Sequence, residues 1–221
     1  MIYLMSDIHG QGGLFFDLLK QTGFCSRDRL IIVGDLIAKG KDSLSLLRFV
    51  MKHRNIQLLQ GNHEARLLYA CGVLETAPET RETIRLWMDG DGAELLRELR
   101  HIPLWEYGEI LQFLLRCPVT KEFRAEGASY LCVHGAPRAG KGESLLTARY
   151  KILRENNRCP GKTAVVGHTP TFRYGEAYRG KIIRLPDKIL LDCGAGHGGP
   201  LGCLRLEDGA CFYAGRKEGL G

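Results

Sequence analysis

No stretch of the 221 residues approaches the ~20 consecutive apolar side chains that a bilayer-spanning helix needs. The opening MIYLMSD lacks both the basic region and the apolar core of an export signal. Low-complexity linkers are missing. A composition of 44% hydrophobic and 25% charged residues excludes a disordered chain, a collagen and a coiled coil. The eight cysteines form no CxxC pair and no tight cluster, so neither a disulfide framework nor a cysteine-based zinc site is expected. Without an export signal, reduced thiols and a cytoplasmic location follow, with no membrane partner. Cys132, inside an apolar run, reads as a small core hydrophobe.

Strong charge of one sign is also missing, since the net charge is only +6. Its distribution is uneven. Between positions 138 and 162 stand seven basic residues (Arg138, Lys141, Arg149, Lys151, Arg154, Arg158, Lys162) against Glu143 and Glu155, a local excess of 7 − 2 = +5. This reads either as a solvated helix face or as a basic rim for an anionic substrate. No nucleic-acid-binding module accompanies it, so nucleic acid is not an expected partner, although a nuclease is compatible with the charge. A chain of this length buries roughly 70–75% of its unfolded surface and needs no metal merely to fold. One domain over residues 1–221 is expected.

What is present is a repeated strand–turn–helix pattern. Ile2–Met5 leads into SDIHG and a helix carrying Leu14, Phe15, Leu18 and Leu19. Residues 30–33 lead into GDLIAKGKDS and a helix with Leu44, Leu47, Val50 and Met51. Residues 56–59 lead into QGNHE and a helix with Leu67, Leu68 and Cys71. Short apolar runs alternating with helical periodicity predict an α/β fold. Residues 79–101 are predicted helical (Ile84, Trp87, Met88, Leu95, Leu96, Leu99), broken by DGDG. For ILQFLL, within 105–128, periodicity does not choose between strand and helix. Strands are expected at 130–133 and 164–166, a helix at 144–155, and short strands at 182–185, 188–192, 201–206 and 210–213.

Chemistry-bearing residues follow the predicted strands: Asp7 and His9, then Asp35, then Asn62 and His63, and later His134 and His168. Singly, each has a plain structural explanation. An aspartate after a strand caps a helix, a lone histidine bonds in core or at surface, and an asparagine after glycine turns the chain. Jointly they do not, because four of the seven histidines follow strands and stand beside glycines. Ligands of open α/β sheets bind outside the carboxyl ends of strands, so these turns should share one crevice. Carboxylate, amide oxygen and imidazole suit divalent first-row ions, with manganese, iron or zinc favoured over calcium or magnesium. The donors exceed one site, and a carboxylate bridges two ions ~3.5–4 Å apart in sites that orient a phosphoryl group. Adjacent Asn62 and His63 suggest that one holds metal while the other faces the leaving group.

The ordered set DIHG, GDLIAKG, GNHE, VHG and GHT resembles the signature of the phosphoprotein phosphatase family of calcineurin-like metallophosphoesterases. The short bacterial and phage-type serine/threonine phosphatases are most similar. The resemblance implies a four-layer α/β/β/α sandwich with metals at one edge. It places Asp7, His9 and Asp35 on the first ion, with Asp35 bridging, and Asn62, His134 and His168 on the second. His63 would be the general acid, a role worth ~10²–10⁴-fold, and a metal-bridging hydroxide would attack phosphorus directly. Manganese is the expected ion, with iron and zinc as alternatives. Phosphate would be held by Lys39, where the family usually has arginine, by Asn62, by Arg149 in LLTARYKIL, and by backbone N–H groups opening the GNHE helix. Arg66 reads as a solvated side chain, and His53 and His101 as structural residues at helix ends.

Two departures matter. Family protein phosphatases carry aspartate where this chain has Ala38, which leaves the partner of His63 unassigned. Symmetrical diadenosine tetraphosphate hydrolases share that alanine and resemble the tail LDCGAGHGG, in which His197 is expected at the substrate entrance. Against them, only 34 residues separate His134 from His168 (168 − 134). Two substrate classes therefore stay open: a phosphorylated protein or small phosphate monoester, and a dinucleoside polyphosphate. A scaffold without catalysis is disfavoured because every ligand position is filled.

Overall fold

The computed structural model describes residues 1–138, 144–148 and 159–215. Strands β1 (Ile2–Met5), β2 (Arg29–Ile32) and β3 (Ile56–Leu58) pair in parallel. Helices α1 (Gly12–Thr22) and α2 (Ser43–Lys52) make the crossovers, and α3 (Asn62–Ala70) follows β3. Two antiparallel strands, β9 (Leu201–Arg205) and β10 (Cys211–Ala214), complete the sheet in the order β10-β9-β1-β2-β3. The second sheet runs β4 (Thr120–Ala125), β5 (Ala128–Val133), β6 (Thr163–Val166), β8 (Lys188–Leu190), β7 (Ile183–Leu185), with β5, β6 and β8 parallel.

Strand alternation sorts the core into layers. Tyr3, Met5, Leu30, Ile32, Ile56 and Leu58 face one way and pack with Phe15, Leu18, Leu47 and Leu67 of the helices. Leu4 and Ile31 face the other way and meet Cys132, Val165 and Ile189 of the second sheet. Val133, Ala164, Val166 and Leu190 form that sheet's outer face, closed by Ala148 and Cys159. This is the expected metallophosphoesterase sandwich. Residues 144–148 form a turn, and the remainder of the helix expected there lies outside the described residues.

Three further helices, α4 (Arg81–Asp89), α5 (Ala93–Leu99) and α6 (Leu104–Arg116), sit between the sheets in sequence. ILQFLL belongs to α6, with Ile110, Leu111 and Leu114 buried, and β4 follows it. The DGDG break falls between α4 and α5 as expected. No disulfide forms among the described residues, and Cys132 is buried. Among the described residues, no helix is long and apolar enough to cross a membrane.

Candidate metal centre

The turns after β1, β2, β3, β5 and β6 meet at one edge of the sandwich. Backbone bonds lock the first two together: Asp7 N–H donates to the Gly34 carbonyl, His9 N–H to Asp35 and Gly10 N–H to Leu36. Gly167 N–H donates to the His134 carbonyl and locks the last two. The His168 N–H donates to Asp7 Oδ2 at 3.0 Å, joining residues 161 positions apart and both sheets. Among the described residues seven non-glycine residues have positive φ, and Asp7, His9, Asp35 and His168 are four of them. Such backbone costs energy that a site tolerates when side chains must be aimed.

Donor atoms converge around Asp35. Those of His9, Asp35 and His63 lie within 4.8 Å of one another, as do those of Asp35, His134 and His168. His9 Nε2 lies 3.7 Å from both Asp7 Oδ1 and Asp35 Oδ2. His134 Nδ1–H donates to the Val33 carbonyl at 2.8 Å, which turns Nε2 toward Asp35 Oδ2 at 3.2 Å. Such a backbone bond is how metal-binding imidazoles are oriented. Asn62 Oδ1 lies 3.0 Å from both His134 Nε2 and His168 Nδ1. Hydrogen bonding alone would favour the opposite amide orientation, with the oxygen accepting from Arg66 Nη2 at 3.2 Å. In either orientation the Asn62 amide lies 3.0 Å from both ring nitrogens, so its oxygen can stand beside them as a donor to a cation. The donor set therefore fits divalent ions of the first transition row.

Electrostatics agree. Burial pushes Asp7 up to about 6, with the Asp35 charge adding to it and His134 opposing. Burial acts on Asp35 in the same sense, yet His134 and His63 outweigh it and hold that carboxyl well below its usual range. His134 rises to about 10 because the Asp35 and Asp7 carboxylates overcome its burial. Burial lowers His9 well below the ordinary imidazole value. His63 falls to about 3, mainly through burial, with Arg66 and Lys39 opposing the pull of Asp35.

Several expectations change. Arg66 is not a solvated side chain: it pairs with Glu79 through Nε and Nη2 (the latter at 2.8 Å), and its Nη1 lies 3.4 Å from His63 Nε2. Two of the N–H groups at the start of α3 are taken by the protein itself. His63 N–H donates to Asp35 Oδ1 and Gly61 N–H to Glu64 Oε2, so the helix start grips the protein's own carboxylates. Lys39 Nζ lies 3.2 Å from His9 Nε2. His53 stacks on Phe49 and is structural, as expected. His197 is exposed in a turn at Ala195–His197 and lines a cavity of about 200 Å³ with Phe172 and Arg179. Neighbouring Gly196 has no room for a side chain because the His9 ring packs against it, so this cavity wall backs directly onto the centre. Arg149, and most of the basic stretch, lie outside the described residues.

Sequence reasoning missed three residues. Glu64, fully buried, braces the Asp35 and Leu36 N–H groups at 2.9 Å each. Asp192 is buried nearby and accepts from Gly194 N–H; burial and the Asp7 charge push its carboxyl well up. Trp87 Nε1–H donates to His63 Nδ1 at 2.9 Å, taking the place left open by Ala38. Only the GNHE and LDCG contexts hinted at the first two; Trp87 carried no signal beyond helical periodicity.

Fold and candidate centre together are those of the metallophosphoesterase class. The family model for calcineurin-like phosphoesterases matches residues 1–195, and the chain belongs to that family. It is 37% identical over 116 residues to a symmetrical bis(5'-nucleosyl)-tetraphosphatase from Photobacterium profundum, which covers 51% of this chain and 42% of the relative. It is 38% identical over 110 residues to the enzyme of that name from an Enterobacter species (48% and 39%). The matches thus span about two-fifths of those relatives' length. A crystal structure of a candidate diadenosine tetraphosphatase superposes with a TM-score of 0.66 at 22% identity, covering 99% of this chain and 94% of that one. A Saccharomyces cerevisiae protein serine/threonine phosphatase superposes at 0.53 and 14% identity, covering 99% and 76%. At such identities the two structures speak to the fold alone.

Proposed function

We propose that the chain hydrolyses dinucleoside polyphosphates, with diadenosine tetraphosphate as the representative substrate and cleavage between the central phosphates. The supporting observation is that Asp35 stands between two donor sets, His9 with Asp7 on one side and His134 with His168 on the other, in a chain similar to symmetrical tetraphosphatases. That similarity favours this reading over a phosphoserine or phosphothreonine phosphatase. Asp7, His9 and Asp35 would hold one ion, and Asp35, Asn62, His134 and His168 a second, most simply manganese. Such ions, when bound, supply Lewis acidity toward phosphoryl oxygens and activate water.

The chain's own residues do the rest. Lys39, beside His9, and Arg66, beside His63, bring positive charge to the phosphate oxygens. His63 faces the leaving oxygen as its proton-bearing partner. The cavity beside His197 and Phe172 receives part of the substrate beyond the scissile phosphate; removing the ring in His197→Ala should raise KM several-fold, and unchanged kinetics on every substrate would remove it from the site. The central test compares turnover of diadenosine tetraphosphate with that of a phosphopeptide, with manganese added. Faster turnover of the dinucleotide to nucleoside diphosphate is expected. A preference for the phosphopeptide would overturn the assignment.

A further inference from the structure

His63 sits between two donors. Trp87 Nε1–H reaches its Nδ1 at 2.9 Å, and Arg66 Nη1 approaches Nε2 at 3.4 Å. A neutral imidazole has one lone pair to offer, so only one can be a true bond. The tryptophan contact is shorter and buried, and a buried indole N–H needs an acceptor. Arg66 already has both oxygens of Glu79. The ring therefore accepts at Nδ1 and carries its proton on Nε2. The indole is held where it is: Trp87 is buried on α4, and a side chain at Gly92 would come within 2.6 Å of its ring, so the backbone of the α4–α5 turn packs flat against it.

The polarity is opposite to that of a carboxylate partner. A carboxylate accepts from Nδ1–H and stabilises a doubly protonated ring, ready to give one proton away. An indole N–H does neither. It leaves a neutral ring with Nε2–H, and beside it the Arg66 guanidinium donor at 3.4 Å, while Asp35 Oδ2 lies 3.9 Å from Nε2, too far for a hydrogen bond. An anionic oxygen is what such a pair accommodates.

We propose that Trp87 is a positioning residue that holds His63 as its Nε2–H tautomer, and that His63 with Arg66 receives a leaving group that departs as a phosphate anion. The proposal rests on the reading of the site as a polyphosphate hydrolase and narrows it. Water adds to phosphorus, the bond from phosphorus to the bridging oxygen breaks, and the electron pair leaves on the terminal phosphate of a nucleoside diphosphate. That oxygen needs only a hydrogen bond from Nε2–H, because a terminal phosphate remains largely ionised at neutral pH, its last proton titrating near ~6. The histidine keeps its proton; one proton of the water goes to solvent, and the other stays on the newly formed terminal phosphate until that group ionises in turn. An alkoxide leaving from phosphoserine must instead be protonated as it departs, which this ring is poorly disposed to do.

The test begins with wild-type protein loaded with magnesium or zinc, both diamagnetic. Nitrogen NMR of the His63 ring, assigned against His63→Ala, should show Nε2 protonated and Nδ1 as a hydrogen-bonded acceptor. An Nδ1–H tautomer overturns the proposal whatever the substrate proves to be. In Trp87→Phe, which deletes the N–H and keeps the aromatic bulk, the ring should become a tautomer mixture. Its kcat on diadenosine tetraphosphate should fall about tenfold, less than the ~10²–10⁴-fold that loss of a proton-bearing group costs, with KM unchanged. An unaltered tautomer and kcat would contradict the proposal. In wild type, phosphoserine peptide should turn over at least ~10²-fold more slowly than the dinucleotide, the lower bound of what a missing general acid costs. If the dinucleotide is not cleaved at all, the proposed function fails while the tautomer measurement still decides the role of Trp87.

Discussion

Asp35 is the residue on which the centre turns. It belongs to both donor groups, its Oδ1 accepts from His63 N–H, and its own N–H is held by Glu64. His63, one position beyond Asn62, separates binding from leaving-group chemistry. If it acts by presenting a neutral N–H at Nε2, glutamine is its nearest substitute. His63→Gln should therefore retain more activity on diadenosine tetraphosphate than His63→Ala, by roughly tenfold, while both bind metal like wild type. Equal losses, measured as kcat on metal-saturated protein, would mean that a hydrogen bond from this position does not matter. The candidate ligands were readable because they follow short apolar runs and, Asp7 excepted, stand beside a glycine. The partner of His63 was not. Trp87 falls on the buried face of α4 with the periodicity of any core residue, and only the packing of α4 against α3 reveals what its N–H meets. Arg66 was misread for the same reason, since its carboxylate, Glu79, comes from the loop before α4.

At the level of elements, α3 does more than follow β3. Its first turn carries Asn62, His63 and Glu64, all buried, and Glu64 reaches back to Gly61 N–H while supporting the turn after β2. Burial pushes the Glu64 carboxyl from its ordinary 4.5 up to about 7, with the Asp35 charge adding to the effect. The sign follows directly. The folded protein holds this proton more tightly than the unfolded chain, so ionising Glu64 costs stability. The cost is absent below about 4.5 and complete above about 7. Glu64→Gln removes it, so in chelator the Tm of the variant should decline less steeply across that interval than wild type, although the variant is less stable overall for want of a second acceptor. Parallel curves would show that Glu64 does not titrate there. The helical outcome of ILQFLL was illegible locally because a short apolar run fits either period. Packing decided it, with Ile110, Leu111 and Leu114 turned into the helical side of the core.

Over the whole molecule, the centre is a seam. Asp7, His9, Asp35 and Asn62 come from turns of the first sheet, and His134 and His168 from the second. The two-sheet arrangement could be read from the alternation of strands and helices, and so could the position of the site at strand ends. The helix expected at 144–155 lies largely outside the described residues. Metal binding across a seam should stabilise the entire fold. An ion at 100 times its dissociation constant adds about 2.7 kcal/mol. For a chain of this size that is roughly 5–10 °C, so chelation should lower Tm by that amount in a single transition. Separate melting of the two sheets on chelation, or no shift, would show that the seam does not depend on the ions.

The most direct measurement is the metal content of the protein after equilibration with manganese and removal of free ion, by elemental mass spectrometry, for wild type and Asp35→Asn. Two ions per wild-type chain and loss of both in the variant are expected, since one carboxylate serves the two donor groups. Two ions retained by Asp35→Asn, or none bound by wild type, would contradict a centre shared through Asp35.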